Sequence, residues 1–397
     1  MPRRDVTGRL LELPDVDLHR FFRPSTIAVI GASERPGRPT TAIWRRLRAW
    51  GDARGAQVWP VNPKFEQLDG VPCAPTEDDV PGPVDVAAIL VGDPVGPFEE
   101  AQAAGVRFAV IFGAGFAEAG KAGAAAQRRL EELAAAGPTR LVGPNTNLNA
   151  FELFRDDLDG PALALVTQSG HQGRPIVAMQ ELGVRVSHWA PTGNEADLEV
   201  ADFVAHFAAQ PEVGAIAAYV EGFRDGRAFA LAADRAAVAG TPLVCVKVGR
   251  TDEGRSMAVS HTGHLTGTDR VVDGVFRQFG VTRVDGLDEL ADVSTALARS
   301  RPPADPKRRN VAVYAISGGT GAHMADLCAA AGLRLPTLGA ATQAALREHV
   351  GEHLRVSNPV DSGGGPSVDP RSPTCSCPAR RCPSTTRSRC SPPMASP

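Results

Sequence analysis

With 397 residues and a formal net charge of -3, the chain is long enough for two or three domains and too close to neutral for bulk nucleic-acid binding. Its apolar runs are strand-sized, and its first 20 residues mix leucine with aspartate and glutamate. No membrane span and no secretion signal are read from them, which makes the cytoplasm the default compartment.

The first organised stretch is Ser25 to Ser33, STIAVIGAS. Thr26 to Ile30 is an apolar run suited to a central parallel strand, and it ends in Gly31-Ala32-Ser33, then Gly37. A helix is expected from about Thr40 to Trp50. Strand, small-residue turn and helix N-terminus together make a phosphate-binding place. No Gly-Lys-Ser/Thr follows and the G-x-G-x-x-G fingerprint is incomplete, so neither a P-loop nor a generic nicotinamide site is the better reading. Further strands are expected at 57–61, 84–91 and 108–112 and near 140–142, separated by helix-sized segments, a doubly wound α/β order. After the second strand comes Asn62-Pro63-Lys64, where Lys64 is either a cation aimed at a phosphate or a solvated lysine at a strand end. Gly113 to Gly120 reads as another wall of the same crevice.

Gly143-Pro144-Asn145-Thr146-Asn147 closes this unit and begins another. Leu163 to Thr167 is a strand, Gln168 to Gly173 a small-residue turn, and a helix is expected from about Arg174 to Leu182. Ser169 is suited to cap that helix and, with Gly170, to let an anion approach free amides; His171 either lines the place or is simply exposed. Strands follow at 184–188, 214–220 and 243–248. Glu221 stands at the end of the AIAAYV strand, either as a carboxylate presented where α/β sheets display functional groups or as the start of a surface loop. Arg250 and Arg255 are candidates for electrostatic help.

Next comes VSHTGHLTG, which places His261 among small residues ahead of a helix expected from Thr268 to Phe279. We read His261 as a candidate covalent phosphoryl carrier, a task that needs a ring nitrogen nucleophilic near neutral pH and room for the resulting phosphate. A carboxylate at Glu221 could accept the other ring proton, fixing the tautomer. His264, three residues on, is the bland comparison.

Beyond the linker 301–309, a strand is expected at 310–316, a turn at Ser317 to Gly321, and helices at 322–331 and 342–350. From about Pro366 the text is Pro, Ser, Thr, Arg and Cys without periodicity, a disordered composition that reads either as translation out of frame near residue 370 or as a genuine divergent tail. Cys73, Cys245 and Cys328 read as buried thiols, and Cys375, Cys377, Cys382 and Cys390 lack histidine and metal-ligand patterning, so no metal site is assigned.

Taken together, RPSTIAVIGAS, VWPVNPK, GPNTNLNAF, VTQSGHQG, PTGNEADLEVADFV, YVEG, VKVGRTDEG, SHTGHLTG, ISGGTGAH and NPVD, in this order between about Arg23 and Gly363, resemble the nucleoside-diphosphate-forming acyl-CoA synthetases, relatives of the α subunit of succinyl-CoA synthetase. The resemblance implies an α/β chain with an N-terminal extension (1–20), a Rossmann-like CoA-binding domain (21–150), a flavodoxin-like phosphohistidine domain (151–300), an incomplete second flavodoxin-like domain (310–366) and a tail (367–397). It places Gly31, Ala32 and Ser33 near the CoA phosphates, Asn62 and Lys64 near its nucleotide half, His261 on the phosphorylated histidine, Ser169 and Gly170 at the helix start holding its phosphate, and Glu221 on the glutamate that pairs with it. The implied reaction is acyl-CoA + ADP + phosphate ⇌ acid + CoA + ATP, through acyl phosphate and phosphohistidine. Coenzyme A, phosphate, and ATP/ADP with Mg2+ are the implied cofactors. The ATP-grasp unit that the family needs is not among these motifs, so a separate β-type subunit is the implied partner, beside a small carboxylic acid or its acyl-CoA and an open question of homo-oligomerisation. The sequence departs from the family at Thr146, where a cysteine is frequent, and at His171, where a second glycine is. The alternative function is a catalytically incomplete CoA or acyl-CoA binding protein.

Overall fold

The computed structural model describes residues 13–254, 268–300, 305 and 307–363. They fall in two compact units, Met1–Arg301 and Pro302–Pro397. The first contains two five-stranded parallel sheets. In chain order the strands are β1 (Thr26–Ile30), β2 (Gln57–Val61), the short antiparallel pair β3 (Gln67–Leu68) and β4 (Val71–Pro72), β5 (Val86–Ile89), β6 (Phe108–Ile111), β7 (Arg140–Val142), β8 (Ala162–Thr167), β9 (Val186–Pro191), β10 (Val213–Val220), β11 (Leu243–Lys247) and β12 (Thr282–Val284).

The two sheets run β2-β1-β5-β6-β7 and β12-β11-β10-β8-β9, so in each the first strand lies between the second and the third. That order reverses direction beside the first strand, and α/β sheets hold ligands at the carboxyl edge of such a switch point. The central strands β1, β5, β6, β8 and β11 are buried at every position, as their unbroken apolar runs require. Strand β9 begins two residues later than the sequence suggested and runs on to Pro191, paired with β8 from Val186 opposite Leu163 to Pro191 opposite Thr167 with a register irregularity between Leu163 and Ala164.

Both sheets contribute to one continuous core, in which Ile27, Val29 and Val110 share a cluster with Ala164, Val166 and Ile216. The helix Val200–Ala208 is buried over seven of its nine residues, the pattern of a helix enclosed by protein rather than laid on a surface. The short helix His19–Phe22 fills the same layer, with Phe21 against Phe108, Phe151 and Phe203 at ring-centre distances of 5.6 to 6.1 Å.

In the second unit the strand expected over 310–316 is shorter: only Tyr314–Ala315 pairs, in parallel, with Val360–Asp361, and Asn310 makes an isolated bridge to Arg334. The side chain of Asn358 takes the place of a longer ladder, accepting from the Val313 amide and donating to the carbonyls of Val311 and Pro336. Helices follow at Gly318–Ala330, capped by Ser317, and at Ala340–Arg347. Among the described residues no helix is long and apolar enough to cross a membrane. Cys245 and Cys328 are buried thiols as expected, whereas Cys73 is only half-buried. The tail cysteines lie outside the described residues.

Candidate functional site: two corners at the carboxyl edge

The first corner follows β1. Gly31 donates its amide to the Val61 carbonyl at 2.9 Å and turns the chain at φ +81°, with the Val91 side chain where a Cβ would stand. Helix Pro39–Arg54 begins with proline in its first turn, behind Arg38 in an extended conformation. Between this turn and the one after β2 lies a cavity of about 180 Å³ lined by Gly31, Ser33, Arg35, Arg38, Asn62 and Lys64, with Thr40 and Phe65. Arg35, Arg38 and Lys64 are exposed at its rim, three cations in a chain of net charge -3.

Two expected cofactor residues sit differently from the lining ones. Ala32 is fully buried beneath the turn and does not line the cavity. Asn62 does line it, but its side chain is occupied in construction: Nδ2 donates to the Ala32 carbonyl at 2.9 Å and Oδ1 accepts from the Lys64 amide at 3.1 Å. Asn62 therefore ties the two turns to each other and presents Lys64. Ser33 Oγ accepts from the Arg35 amide at 3.1 Å and braces the loop in the same way. Arg35 and Arg38 were missed in the sequence; the signal available was an R-x-x-R pair inside the glycine turn itself.

The second corner follows β8. Ser169 does not cap the next helix. A turn of six residues intervenes, the helix is the five-residue Arg174–Ala178 with Gly173 in front of it, and no side chain caps it. The reason lies in the turn: Gln172 donates to the Ser169 carbonyl and Arg174 to the His171 carbonyl, and Pro175 lies in the helix's first turn. Gly170 is held from the first sheet's side, its carbonyl accepting from Asn149 Nδ2 at 2.9 Å, and a Cβ there would collide with the Asn147 amide. His171 is exposed. Thr146, in the 143–149 loop, is buried and donates to the Pro191 carbonyl at 2.6 Å.

Glu221, the first residue after β10, is buried at 5 % exposure, which rules out the surface-loop reading. Gln168, unremarked in the sequence, is 3 % exposed and bonds the backbone of residues 221 and 222. Lys247, the last residue of β11, is equally buried and donates to the carbonyls of Glu221 and Val248 at 2.8 and 2.6 Å. Burial pulls the Lys247 ammonium down to about 8. Beside them the loop after β9 holds two more acids, Glu195 buried and Glu199 half-buried. Glu195 accepts from Thr192 Oγ1 at 2.7 Å and from the Val200 amide at 3.2 Å, and burial raises its carboxyl to about 7. Glu199, accepting from the Asp225 amide at 3.1 Å, is raised to about 8 by burial and then by the neighbouring Glu195. Asn194 links the two sheets, donating to Glu118 at 2.6 Å and to Gln127 at 3.0 Å while accepting from Asn145 at 3.1 Å. The Gly113–Gly120 loop thus acts as a wall against the second sheet through Glu118, whose carboxyl also accepts from the amides of Gly115 and Phe116.

His261, His264 and Arg255 lie outside the described residues. Arg250 is paired with Asp285 and stands 3.9 Å from Asp269. Among the described residues no group of three or more histidines, cysteines and carboxylates could hold a metal ion. In chemical terms, the first corner is a cation-rimmed recess suited to an anionic ligand, and the second a buried carboxylate presented on a rigid strand end.

Residues 25–151 match the CoA binding domain family and residues 160–297 the succinyl-CoA ligase-like flavodoxin domain family. The chain is 33 % identical over 355 residues to the α subunit of the ADP-forming acetate–CoA ligase II of Pyrococcus furiosus, covering 87 % of this chain and 76 % of the relative. It is also 33 % identical to the ADP-forming acetate–CoA ligase I of Archaeoglobus fulgidus, where the match covers 89 % of this chain and 51 % of that longer protein. Among solved structures it matches an acetyl-coenzyme A synthetase of Ca. Korarchaeum cryptofilum in complex with phosphate and ADP, with a TM-score of 0.74 at 31 % identity over 87 % of this chain and 75 % of the other. With a Rossmann-like CoA-binding sheet followed by a flavodoxin-like one, and with this share of an α subunit covered, the chain belongs to the ADP-forming acyl-CoA synthetase family.

Proposed function

We propose that this chain is the CoA-binding and phosphohistidine component of an NDP-forming acid–CoA ligase, working with a separate ATP-grasp subunit. The observation that carries the reading is Glu221: a buried carboxylate at the end of a central strand, in the same unit as a cation-rimmed recess of CoA-phosphate character. The subunit division of the Pyrococcus relative, an α subunit by name, supports a partner supplying the nucleotide site.

In the thioester-cleaving direction, a phosphate oxygen attacks the acyl carbonyl, the C–S bond breaks and CoA leaves as thiolate. The acyl phosphate then gives its phosphoryl group to a ring nitrogen of His261; the P–O bond to the acyl oxygen breaks as the P–N bond forms, and the carboxylate departs. ADP on the partner takes the phosphoryl group to give ATP. Arg35, Arg38 and Lys64 hold the CoA phosphates, Gly31, Ala32 and Ser33 shape the turn beneath them, and Asn62 orients Lys64. Ser169 and Gly170 offer backbone amides to the travelling phosphate, and Glu221 accepts a hydrogen bond from the other imidazole N–H and so supports the positive ring during transfer. Mg2+ accompanies the nucleotide, and no step assigned to this chain runs through it.

The test is labelling of the full chain with acyl-CoA and radioactive inorganic phosphate, trying acetyl-CoA first and then longer and aromatic thioesters. An acid-labile, base-stable phosphate is expected on the chain, absent in His261→Ala, retained in His264→Ala, and formed more slowly in Glu221→Gln. Label mapped to His264 or His171 overturns the assignment. No label on any histidine, in protein that binds CoA, favours the binding-protein alternative.

A further inference from the structure

Strand β10 bonds to its neighbours only as far as Tyr219 opposite Thr167 and Val220 opposite Lys247. Glu221 and Gly222 come next, are still buried, and lie beyond the last paired residues of the strand. Buried amides and carbonyls need partners, and here two side chains provide them. Gln168 Oε1 accepts from the amides of Glu221 at 2.5 Å and Gly222 at 3.0 Å, while its Nε2 donates to the Gly222 carbonyl at 2.8 Å. From the opposite side Lys247 Nζ donates to the Glu221 carbonyl at 2.8 Å and the Val248 carbonyl at 2.6 Å, with the ammonium 5.9 Å from the Phe223 ring centre.

We infer that Gln168 and Lys247 are positioning residues for Glu221, gripping its backbone from both sides so that the carboxylate is presented in one orientation after the sheet has ended. This rests on the reading of Glu221 as the carboxylate that serves the phosphorylated histidine. Each side chain suits the task in a way its near relatives do not. A glutamate at 168 could accept from the two amides but not donate to the Gly222 carbonyl, and a leucine could do neither. A lysine at 247 spends its charge on two carbonyl dipoles, which is a costly use of a buried cation unless those carbonyls must be held. Its depressed ammonium fits that burial. The grip also reaches farther, since Gln168 hydrogen-bonds the side chain of Glu195 in the loop that meets the first sheet.

The experiment uses the full chain and two independent readouts. Amide hydrogen exchange at residues 221–222 reads the grip itself. Histidine labelling from acyl-CoA and inorganic phosphate reads its consequence. Gln168→Leu and Lys247→Met are expected to speed exchange there by roughly tenfold or more, as loss of a buried hydrogen bond does, while circular dichroism and exchange in β1 and β5 stay unchanged. Both variants should slow labelling by a similar factor without altering the concentration of acyl-CoA that half-saturates it, and should add little further loss in a Glu221→Gln background. Lys247→Arg, which keeps the donors, should recover part of both signals. Unchanged exchange at 221–222 overturns the grip whatever the labelling does. Faster exchange with losses that add fully to Glu221→Gln overturns the positioning role. If the unaltered protein takes no label while exchange responds as expected, the phosphohistidine reading has failed and the positioning role falls with it, leaving the grip as architecture. Should a variant fold poorly, the Lys247→Arg pair carries the comparison.

Discussion

At the end of β1 the chain turns with its cations outside: Arg35, Arg38 and Lys64 are exposed around a recess, and the groups beneath them, Ser33 and Asn62, bond only nearby backbone. At the end of β8 the polar groups turn inward: Gln168, Glu195, Glu221 and Lys247 are all 5 % exposed or less, and Gln168 and Lys247 bond across to the chain leaving β10. The difference teaches how one fold serves two demands. A recess that receives a flexible, highly charged ligand needs long cations free to close on it, since screening and side-chain entropy limit what each contributes until the ligand arrives. A corner that must present one carboxylate needs rigidity, and rigidity comes from buried hydrogen bonds and close packing.

If the first corner acts through charge, removing a cation there should strike binding and spare the fold. Lys64→Ala is expected to weaken CoA binding by about tenfold or more, the worth of a charge-assisted contact of roughly 1.5–3 kcal/mol. Titration calorimetry on the full chain checks it, beside a melting temperature that should hardly move. Arg38→Ala should behave alike, and in both the loss should shrink as salt is raised. Unchanged affinity in Lys64→Ala removes that lysine from the site.

If the second corner acts through packing, a single methyl group should disturb it. A Cβ on Gly173 would run into the indole of Trp189, which is fully buried and donates from Nε1 to Thr167 Oγ1 at 2.8 Å, so the ring has nowhere to move. Gly173→Ala is therefore expected to destabilise by about 1–3 kcal/mol, the usual cost of overpacking. Gly37 in the first corner makes the control, because a Cβ there meets nothing and only its φ of +77° opposes the change. Gly37→Ala should cost less, on the order of 1 kcal/mol. Equal losses in thermal or urea unfolding would erase the contrast.

The same contrast decides what could be read from sequence. Strand-sized apolar runs ending in glycine located most of the strands of both sheets to within a few residues, because a strand buried on both faces must be apolar throughout. Lys64 was legible because a lysine just past a strand end stands out in a chain with only four lysines. Ser169 misled because a serine before a helical run looks like a cap, whereas the turn bonds of Gln172 and Arg174 delay the helix to residue 174. The parts of Gln168 and Lys247 stayed hidden because their partners, the peptide groups of residues 221, 222 and 248, carry no side-chain signature and become neighbours only when β8, β10 and β11 lie side by side. That both sheets would share one core was equally unreadable: it depends on the helix Val200–Ala208 being enclosed, and its apolar sequence alone does not say by what.

The most gradual expected effect is a slope with pH, and it belongs to the inward-facing corner. Glu195 and Glu199 have folded-state values of about 7 and about 8, both above the ordinary 4.5, chiefly because burial disfavours their charged forms. Groups raised in this way bind more protons folded than unfolded across the interval, so their stabilising contribution is complete below about pH 4.5 and is lost as pH rises through about 7 and 8. The loss on the alkaline side should be on the order of 1–3 kcal/mol, since part of the shift is shared between two interacting acids. Lys247 works against it, because a lysine lowered to about 8 binds fewer protons folded than unfolded above that point, so its term rises with pH and flattens the curve. Glu199→Gln separates the two. Its amide can still accept from the Asp225 backbone but cannot ionise, so the variant should lose less stability than the unaltered protein between about pH 6 and pH 8, and above about pH 8 its remaining Lys247 term should turn the curve upward. Urea unfolding across that range measures both curves; parallel curves would mean that the pair does not titrate where its burial places it.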